Sequence, residues 1–409
     1  MIEKLFRQIC LGLFAALFVT QVYAEDPSCE DSCPVPNFCC QPEVCCNNFW
    51  IDADYLYWKI QDSPKTIPLV IQAPAGSTTT PFLGEPGSFV VLGHKKINNE
   101  WRSGGRFALG YWFDNDECCG NCYGAEVNYF FLPEQSKRRC VFSTGSSDSP
   151  ILAVPYFDVT TDEETSFEIA FPNRYEGRAS YKLSNSMQNA ELNGLLKLPC
   201  TWGVNLVALA GFRWWNFDEK FHFETSSPFV PPLPLDVFRT IDRFKAENNY
   251  YSGQIGIIGS YNCGALYANV KGKIAFGANC EDLRVKGRFF TNDFDSFGEV
   301  QEFFGGFFAL PTNHGHHKRT KFAVLPEVDV NIGYQFSDCA RVQIGYTFIY
   351  VSEVLRAGKQ LSRFINPTQS VLYEEDTTTV LVGVPAPRAR HKSESLWVQG
   401  LNVGVEFTF

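Results

Sequence analysis

The most regular pattern in this chain is an alternation of apolar and polar residues in its C-terminal part. Over residues 322–336 every second residue is apolar, and Glu327 and Asp329 lie between them. The same period of two continues over 342–350 and over 401–409, so the last predicted strand includes the final residue. Such alternation predicts β-strands, and these runs match the roughly 9–11 residues of a membrane-crossing strand better than the roughly 5–6 of an ordinary one.

Earlier segments repeat this pattern, with aromatic residues frequent among the apolar positions. The chain is predicted to form ten strands, near 49–57, 107–113, 122–132, 190–198, 202–215, 250–261, 266–277, 322–336, 342–350 and 401–409. Three further segments could add strands and give an alternative count of twelve: Arg178–Leu183, Leu283–Phe290 and Phe303–Leu310.

The connections between these strands alternate in length. Four are short, at Asp114–Asn121, Pro199–Thr201, Asn262–Gly264 and Ser337–Cys339, and five are long, at Gln61–Trp101, Pro133–Asn189, Asn216–Asn249, Ala278–Lys321 and Val351–Glu394. Short periplasmic turns and long outer loops are the topology of outer-membrane barrels. Because unpaired peptide groups are costly in hydrocarbon, the sheet has to close. The predicted fold is therefore all-β, a closed antiparallel transmembrane β-barrel.

The N-terminus has the order of a signal peptide. Lys4 and Arg7 precede an apolar core at 11–19, and small residues lead to a predicted cut after Ala24. The predicted organisation is a signal peptide at 1–24, a cysteine-rich periplasmic segment at 25–48 and an outer-membrane barrel at 49–409.

Six phrases of the chain, taken in their order, resemble the putative beta-barrel porin-7 family, which is known largely from planctomycetes and chlamydia-like bacteria. They are Trp50–Trp58, Gly104–Gly110, Gly211–Trp214, Tyr251–Gly256, Val324–Tyr334 and Trp397–Phe409. The resemblance covers nearly all of the chain after residue 49 and implies an outer-membrane barrel. It carries no catalytic set and no agreed substrate, and the high cysteine content departs from it.

Alternation also predicts which side chains face the lumen. The expected inward polar residues carry both signs of charge: Asp52, Asp54, Arg106, Glu126, Arg213, Lys271, Lys273, Glu327, Asp329, Arg341 and Glu406. In a barrel of ten or twelve strands the lumen is narrow, so these charges are expected to pair across it. The C-terminal residues Val403, Val405, Phe407 and Phe409 resemble a barrel-insertion signal, which implies the barrel-assembly machinery and outer-membrane lipid as partners.

Fifteen cysteines are present, and their positions are more informative than their number. Twelve are expected on the periplasmic side as disulfide candidates: Cys29, Cys33, Cys39, Cys40, Cys45, Cys46, Cys118, Cys119, Cys122, Cys200, Cys263 and Cys339. Cys140 and Cys280 are expected on the loop side. Bridges within the chain and crosslinks to other cysteine-rich envelope proteins are both open, and zinc binding by the N-terminal cluster is a further alternative.

The remaining chemistry is sparse. The sequence has no nucleophile elbow, metalloprotease motif or phosphate loop, so no catalytic residue, cofactor or enzymatic activity is predicted. His314, His316 and His317 form a candidate metal site, with a solvated outer loop as the alternative. A formal net charge of −10 argues against nucleic acid as a partner. The predicted function is a narrow porin for ions or small solutes. The alternative is a disulfide-crosslinked structural envelope protein or surface adhesin without an open pore.

Overall fold

The structure of the protein is a computed structural model. It describes residues 49–74, 76–113, 123–201, 204–230, 237–292, 299–373 and 380–409, with the side chains of 199–201 excepted. Within these ranges no helix is long and apolar enough to cross a membrane. The helical elements among the described residues are two single 3-10 turns, at Ala357–Lys359 and Pro367–Gln369.

Ten long strands form the barrel. They are β1 (Phe49–Ile60), β4 (Arg102–Trp112), β5 (Tyr123–Ser143), β8 (Gly177–Thr201), β9 (Val204–Ser226), β10 (Phe238–Cys263), β11 (Leu266–Thr291), β13 (Gly315–Ser337), β14 (Ala340–Leu355) and β16 (Ser393–Thr408). The shorter strands are β2 (Pro68–Gln72), β3 (Phe89–Gly93), β6 (Leu152–Asp158), β7 (Glu163–Ala170), β12 (Gln301–Phe304) and β15 (Phe364–Ile365).

The ten long strands pair antiparallel in chain order and close into a ring. The last strand, β16, pairs with β1 along its length, from Trp50 opposite Thr408 to Ile60 opposite Val398. Pairing of β10 with β11 completes the circuit. The prediction of a closed ten-stranded barrel with short periplasmic turns is confirmed. The alternative count of twelve is wrong, because Arg178–Leu183 and Leu283–Phe290 continue β8 and β11. Of the three candidate segments, only Phe303–Leu310 overlaps a separate strand, the short β12, which pairs with the end of β11.

The part of each barrel strand that adjoins the periplasmic turns is the membrane section, and it takes up nearly all of β1 and β4. On β10 it extends from Tyr251 to Tyr261, and the outward residues between them include Ile255 and Ile257, which are 58% and 48% exposed. Ten residues of a strand tilted by about 40° rise about 26 Å, which matches the apolar band of about 25 Å in outer-membrane barrels. The membrane section therefore directs apolar side chains to lipid.

Beyond this band, five strands continue for another 10 to 15 residues and form what we call the extension. Here the alternation inverts: on β11 the inward residues are Leu283, Val285 and Phe289, all buried, while Arg284 and Lys286 face outward and are exposed. The predicted strands ended too early for this reason. The inward face changes from polar to apolar in mid-strand, so the sequence pattern loses its continuity although the backbone ladder does not.

The long loops fold back into the extension and fill it. Strands β15, β6, β2 and β3 pair in that order, with β7 beside β6, to form a second small sheet. Apolar residues of this sheet and of the loop at 307–310 pack against inward residues of β8, β9, β10 and β11 in one buried cluster, which includes Val70, Val154, Ile169, Phe221, Phe223, Phe244, Phe307 and Phe308. The extension thus has an apolar core, like the interior of a soluble domain.

Candidate functional site: the barrel lumen

The lower lumen is centred on Arg213, a fully buried residue of β9. Its Nη1 lies 2.6 Å from Glu327 Oε2 and 3.6 Å from Glu191 Oε1, and its Nε donates to Asn189 Oδ1 at 2.6 Å. Lys273 Nζ lies 3.0 Å from Glu191 Oε2 and 2.9 Å from Glu327 Oε1. Two cations and two carboxylates from four strands therefore form one buried network across the lumen.

A second group lies beside this network. Arg106 bridges two carboxylates, with Nη2 at 2.7 Å from Asp54 Oδ2 and Nη1 at 3.0 Å from Asp329 Oδ1. Thr347 Oγ1 also donates to Asp329 Oδ1, and Lys271 Nζ lies 3.7 Å from Glu126 Oε2. Asp54 and Arg106 lie on the adjacent strands β1 and β4, whereas the contacts of Arg106 with Asp329 and of Lys271 with Glu126 join strands that are not adjacent in the barrel. Charges that face one another inside a low-dielectric space interact strongly, so these pairs tie the wall together across the lumen.

The periplasmic mouth of the lumen carries the remaining charges. Arg341 Nη2 lies 2.5 Å from Glu406 Oε1, and its guanidinium lies over the ring of Tyr267 at 4.2 Å. Gln343 Nε2 donates to both carboxylate oxygens of Asp52, at 3.0 and 3.1 Å. Arg341 retains partial exposure, so this level is in contact with periplasmic water.

The structure places all eleven predicted lumen residues on the inward face. Sequence reasoning missed Glu191, which lies on the same face as Asn189 and Asn193 in β8 and receives Gln254 Nε2 at 2.8 Å. The alternation of Asn189, Glu191 and Asn193 in the sequence could have indicated this position, but a single carboxylate between two neutral amides is a weak signal. With Glu191, the described lower lumen holds seven carboxylates (Asp52, Asp54, Glu126, Glu191, Glu327, Asp329, Glu406) against five cations (Arg106, Arg213, Lys271, Lys273, Arg341).

Directly above the charges, a layer of apolar side chains crosses the lumen; we call it the lumen disc. Nine of the ten barrel strands contribute to it, and every member is at most 2% exposed: Leu56, Trp58, Ile60, Phe130, Leu132, Met187, Trp215, Phe217, Tyr250, Ala275, Ala323, Leu325, Ile349, Val351, Val354, Leu396 and Val398. Trp58 packs on Phe130 and donates its indole N–H to Asn402 Oδ1 at 2.7 Å, which ties the disc to the polar layer below. The disc leaves its members almost no contact with solvent.

A buried ion pair lies on the outer side of the disc. Arg356, which follows β14, donates to Glu219 Oε2 of β9 from Nη2 at 2.8 Å and from Nε at 3.0 Å, and both side chains are fully buried. Its Nη2 also donates to Ser63 Oγ at 2.9 Å. These bonds join two of the long loops to the barrel wall immediately above the disc.

The candidate histidine site is not assembled. His316 Nε2 contacts Asp282 Oδ2, His317 Nε2 contacts the carbonyl oxygen of Asn313, and the His314 ring packs on Phe304. In the described part of the chain, no group of three or more His, Cys, Asp or Glu side chains is arranged to hold a metal ion.

Four cysteines have described side chains, and all four are free thiols. Cys263 and Cys339 are exposed in the periplasmic turns, and Cys140 and Cys280 lie on the outer face of the extension. These four form no disulfide in the structure. The remaining disulfide candidates, namely Cys29, Cys33, Cys39, Cys40, Cys45, Cys46, Cys118, Cys119, Cys122 and the side chain of Cys200, lie outside the described residues, as does the predicted signal peptide.

Together these features define a porin-like, closed outer-membrane barrel. The chain belongs to the putative beta barrel porin-7 family, whose sequence model matches residues 50–409. The resemblance inferred from the six sequence phrases is confirmed by this match. A search among curated proteins finds no match.

Two solved outer-membrane proteins are among the structures to which this chain has a distant similarity. The outer membrane protease OmpT of Escherichia coli is 11% identical, with 88% of this chain and 97% of that chain covered and a TM-score of 0.39. The TodX monoaromatic hydrocarbon channel of Pseudomonas putida, as its deltaS2S3 mutant, is 7% identical, with 90% and 91% covered and a TM-score of 0.21. At these values neither activity is carried over to this chain.

Proposed function

We propose that this protein is a non-enzymatic outer-membrane barrel with a closed lumen, which anchors and displays a rigid β-structured extension on the cell surface. The observation that carries this proposal is the lumen disc, since apolar side chains from nine of the ten strands, each at most 2% exposed, fill the lumen at one level. The apolar core of the extension supports it, because the outer loops are folded and packed rather than held away from the lumen.

Planar-bilayer recording on refolded protein tests the closed lumen. We expect no conductance steps from the wild-type barrel, because ions cannot cross an apolar layer that excludes water. Reproducible steps in the wild type would contradict the proposal. Impermeant maleimide on intact cells tests the display: Cys140, and to a lesser extent the half-buried Cys280, should react from outside, whereas Cys263 and Cys339 should react only after the outer membrane is opened and disulfides are reduced. A Cys140→Ser/Cys280→Ser variant is the matched control, and labelling of the turn thiols on intact cells would overturn the orientation.

A narrow, gated channel for ions or small solutes is the second candidate. The excess of carboxylates over cations in the lower lumen favours it, because a negatively charged lining attracts cations to a pore. If the wild type conducts, Glu406→Gln and Asp52→Asn should lower the preference for cations over anions. Both residues lie at the mouth, where neutral replacements are tolerated best. Unchanged ion selectivity in these variants would count against the lumen charges as the selectivity element.

We further propose that other cysteine-rich envelope proteins are partners of this barrel in its structural role. Exposed thiols in the turns at Cys263 and Cys339 support disulfide crosslinks to other cysteine-rich envelope proteins, since two thiols oxidise to a disulfide with two electrons passed to a periplasmic thiol oxidase or disulfide. Non-reducing gels of isolated membranes should show bands that collapse to the monomer on reduction. A monomeric band without reductant would reject crosslinking. Outer-membrane lipid and the barrel-assembly machinery remain the other proposed partners.

A further inference from the structure

A row of basic side chains crosses the outer face of the extension. Residues directly opposite one another on neighbouring strands form it, and we call it the basic row: Arg138 (β5), Lys182 (β8), His222 (β9), Arg243 (β10) and Lys286 (β11). The flanking residues on each strand, such as Leu183 and Phe223, are buried in the extension core, so the row faces outward. Five strands about 4.8 Å apart give it a length of about 19 Å.

Four of the five side chains in this row have no ion-pair partner among the described residues, whereas His222 Nε2 lies 3.4 Å from Glu224 Oε2. In the described part of the chain, no carboxylate lies within ion-pair distance of Arg138, Lys182, Arg243 or Lys286. Arg243 Nε donates to His222 Nδ1 at 3.3 Å, which requires a neutral imidazole at that nitrogen, and burial lowers the pKa of His222. Like charges placed directly opposite each other destabilise a sheet, so the row costs the fold stability.

The adjacent row, one step closer to the membrane, is built differently. Each of its cations has a carboxylate partner: Lys220 Nζ lies 2.7 Å from Glu134, Lys245 Nζ 2.8 Å from Glu247, and Arg284 Nε 3.5 Å from Asp282. Within the described residues, the same outer wall therefore pairs every cation of one row and leaves Arg138, Lys182, Arg243 and Lys286 of the next without an ion-pair partner. Functional surfaces often carry such a local cost in stability, and here the unpaired charges are positive, so the ligand that would relieve their repulsion is an anion.

The height of the row narrows the choice of anion. Arg243 lies eight residues beyond Tyr251, the outer edge of the lipid-facing band, which is about 27 Å along the strand and about 20 Å above that edge. The polar headgroup region adds only about 5–8 Å to each side of the hydrocarbon. Simple lipid phosphates therefore do not reach the row, and the ligand has to lie in the aqueous layer outside the membrane.

The surface around the row favours a polymer over a folded protein. Its immediate outward neighbours on β8, β9 and β10 are Ser180, Ser184, Lys220, Glu224, Ile241 and Lys245, and Ile241, the apolar one among them, is only 7% exposed. Protein interfaces are usually centred on buried aromatic or aliphatic anchors, which this surface does not offer. A straight line of cations on a polar wall is complementary to a straight line of anions.

From this geometry we propose that the basic row binds a linear anionic polysaccharide, one that carries carboxylate or sulfate groups along its chain. Lys182, Arg243 and Lys286 contact successive anionic groups, and Arg138 extends the track at its β5 end. The binding of the polymer neutralises the repulsion that the sheet otherwise carries. The inference goes beyond the proposed function and does not depend on whether the lumen conducts.

Binding of a heparin oligosaccharide to the full chain, refolded in zwitterionic micelles, tests this proposal. The decisive variant is Lys182→Gln/Arg243→Gln/Lys286→Gln, and the matched control is Lys65→Gln/Lys95→Gln/Lys96→Gln, which removes three exposed loop charges. We expect salt-sensitive binding by the wild type, at least tenfold weaker binding by the basic-row variant with a shallower salt dependence, and a change within twofold in the control. The basic-row variant should fold at least as stably as the wild type, because it removes like-charge contacts.

Three outcomes would overturn the proposal. The first is no heparin binding by the wild type at about 0.1 M salt, where exposed charges still interact. The second is an equal loss in the basic-row variant and the control, which would mean that net charge alone is responsible. The third is a variant that loses binding to vesicles of anionic phospholipid while keeping heparin, which would assign the row to lipid.

Discussion

On β11 the first ten residues direct Lys271 and Lys273 into the lumen and Ile274 towards lipid, whereas the last ten direct Val285 inward and Lys286 outward. One continuous strand is therefore surrounded by lipid over one part of its length and by water over the other. In the membrane section the surroundings are apolar and the polar groups are collected inside, where they have to pair with one another. In the extension the surroundings are water, so the apolar groups are collected inside and the charges outside.

The membrane section and the extension are stabilised by different interactions. The interior of the membrane section depends on complementary charges, and a removed partner leaves a buried charge unpaired. The interior of the extension depends on apolar packing, and there a removed charge on the outer wall is replaced by water. The lumen disc lies at the change of polarity, where both halves contribute apolar residues.

The largest effect is expected from Arg213→Ala in the charge network. It leaves Glu191 and Glu327 with Lys273 as their remaining cation and should lower the free energy of unfolding by about 3–5 kcal/mol. Denaturant unfolding in micelles, followed by tryptophan fluorescence, measures the change. Arg341→Ala at the wetter mouth should cost clearly less, and Arg213→Ala/Glu327→Gln should recover part of the loss. Equal costs for Arg213→Ala and Arg341→Ala would mean that the lumen network is solvated.

A smaller effect should distinguish the two outer faces. Ile257 lies in the middle of the lipid-facing band of β10, so Ile257→Lys should destabilise the barrel in a bilayer by about 2–4 kcal/mol. The matched change on the same face of the same strand is Lys245→Ile, in the extension, where we expect a change of about 1 kcal/mol or less. Unfolding from lipid vesicles compares the two. Similar costs at both positions would show that the extension is also immersed in lipid.

The smallest effect concerns pH and the extension core. The carboxylate of Asp242 in β10 accepts backbone N–H groups of Phe307, Phe308 and Ala309 at 3.0, 2.9 and 2.6 Å, and Gly306 lets this loop approach, since a Cβ there would lie 2.5 Å from Asp242 Oδ1. Burial nevertheless raises the pKa of Asp242 to about 6 from 3.8, and the three N–H groups offset only part of that rise.

Because the folded pKa lies above the unfolded one, the folded state binds the proton more tightly, and Asp242 adds stability as the pH falls through 6. Between pH 7.5 and pH 5 this amounts to about 1.4 kcal/mol, and it is complete below the unfolded pKa of 3.8. Unfolding curves at the two pH values measure it, with Asp242→Asn as the control that should lose this component. A pH dependence that is identical in Asp242→Asn would assign the titration to another group.

Much of the barrel could be predicted from local pattern. The two-residue period of 322–336 and 401–409 indicates long strands and also assigns Glu327, Asp329 and Glu406 to the lumen. That prediction holds because in lipid each side chain has one of two surroundings, and the choice alternates strictly along a strand. The ten-strand count follows from the same signal, since each membrane section carries it.

The extension could not be predicted in this way. Leu283 was predicted to begin a possible extra strand, and Phe221 fell in the predicted connection Asn216–Asn249. Only the pairing of β9, β10 and β11 over their full lengths reveals both as continuations of barrel strands. Glu191 was missed for a related reason, since its importance depends on Arg213 and Lys273, which come from other strands.

By itself, the sequence determined that this chain is a closed outer-membrane barrel and which of its residues face inward, because alternation and the need to satisfy every backbone group in lipid are local constraints. Only the tertiary structure decided whether that interior is filled. The disc of Trp58, Trp215 and Tyr250 and the uncompensated basic row both arise from residues far apart in sequence, which the strand register brings side by side.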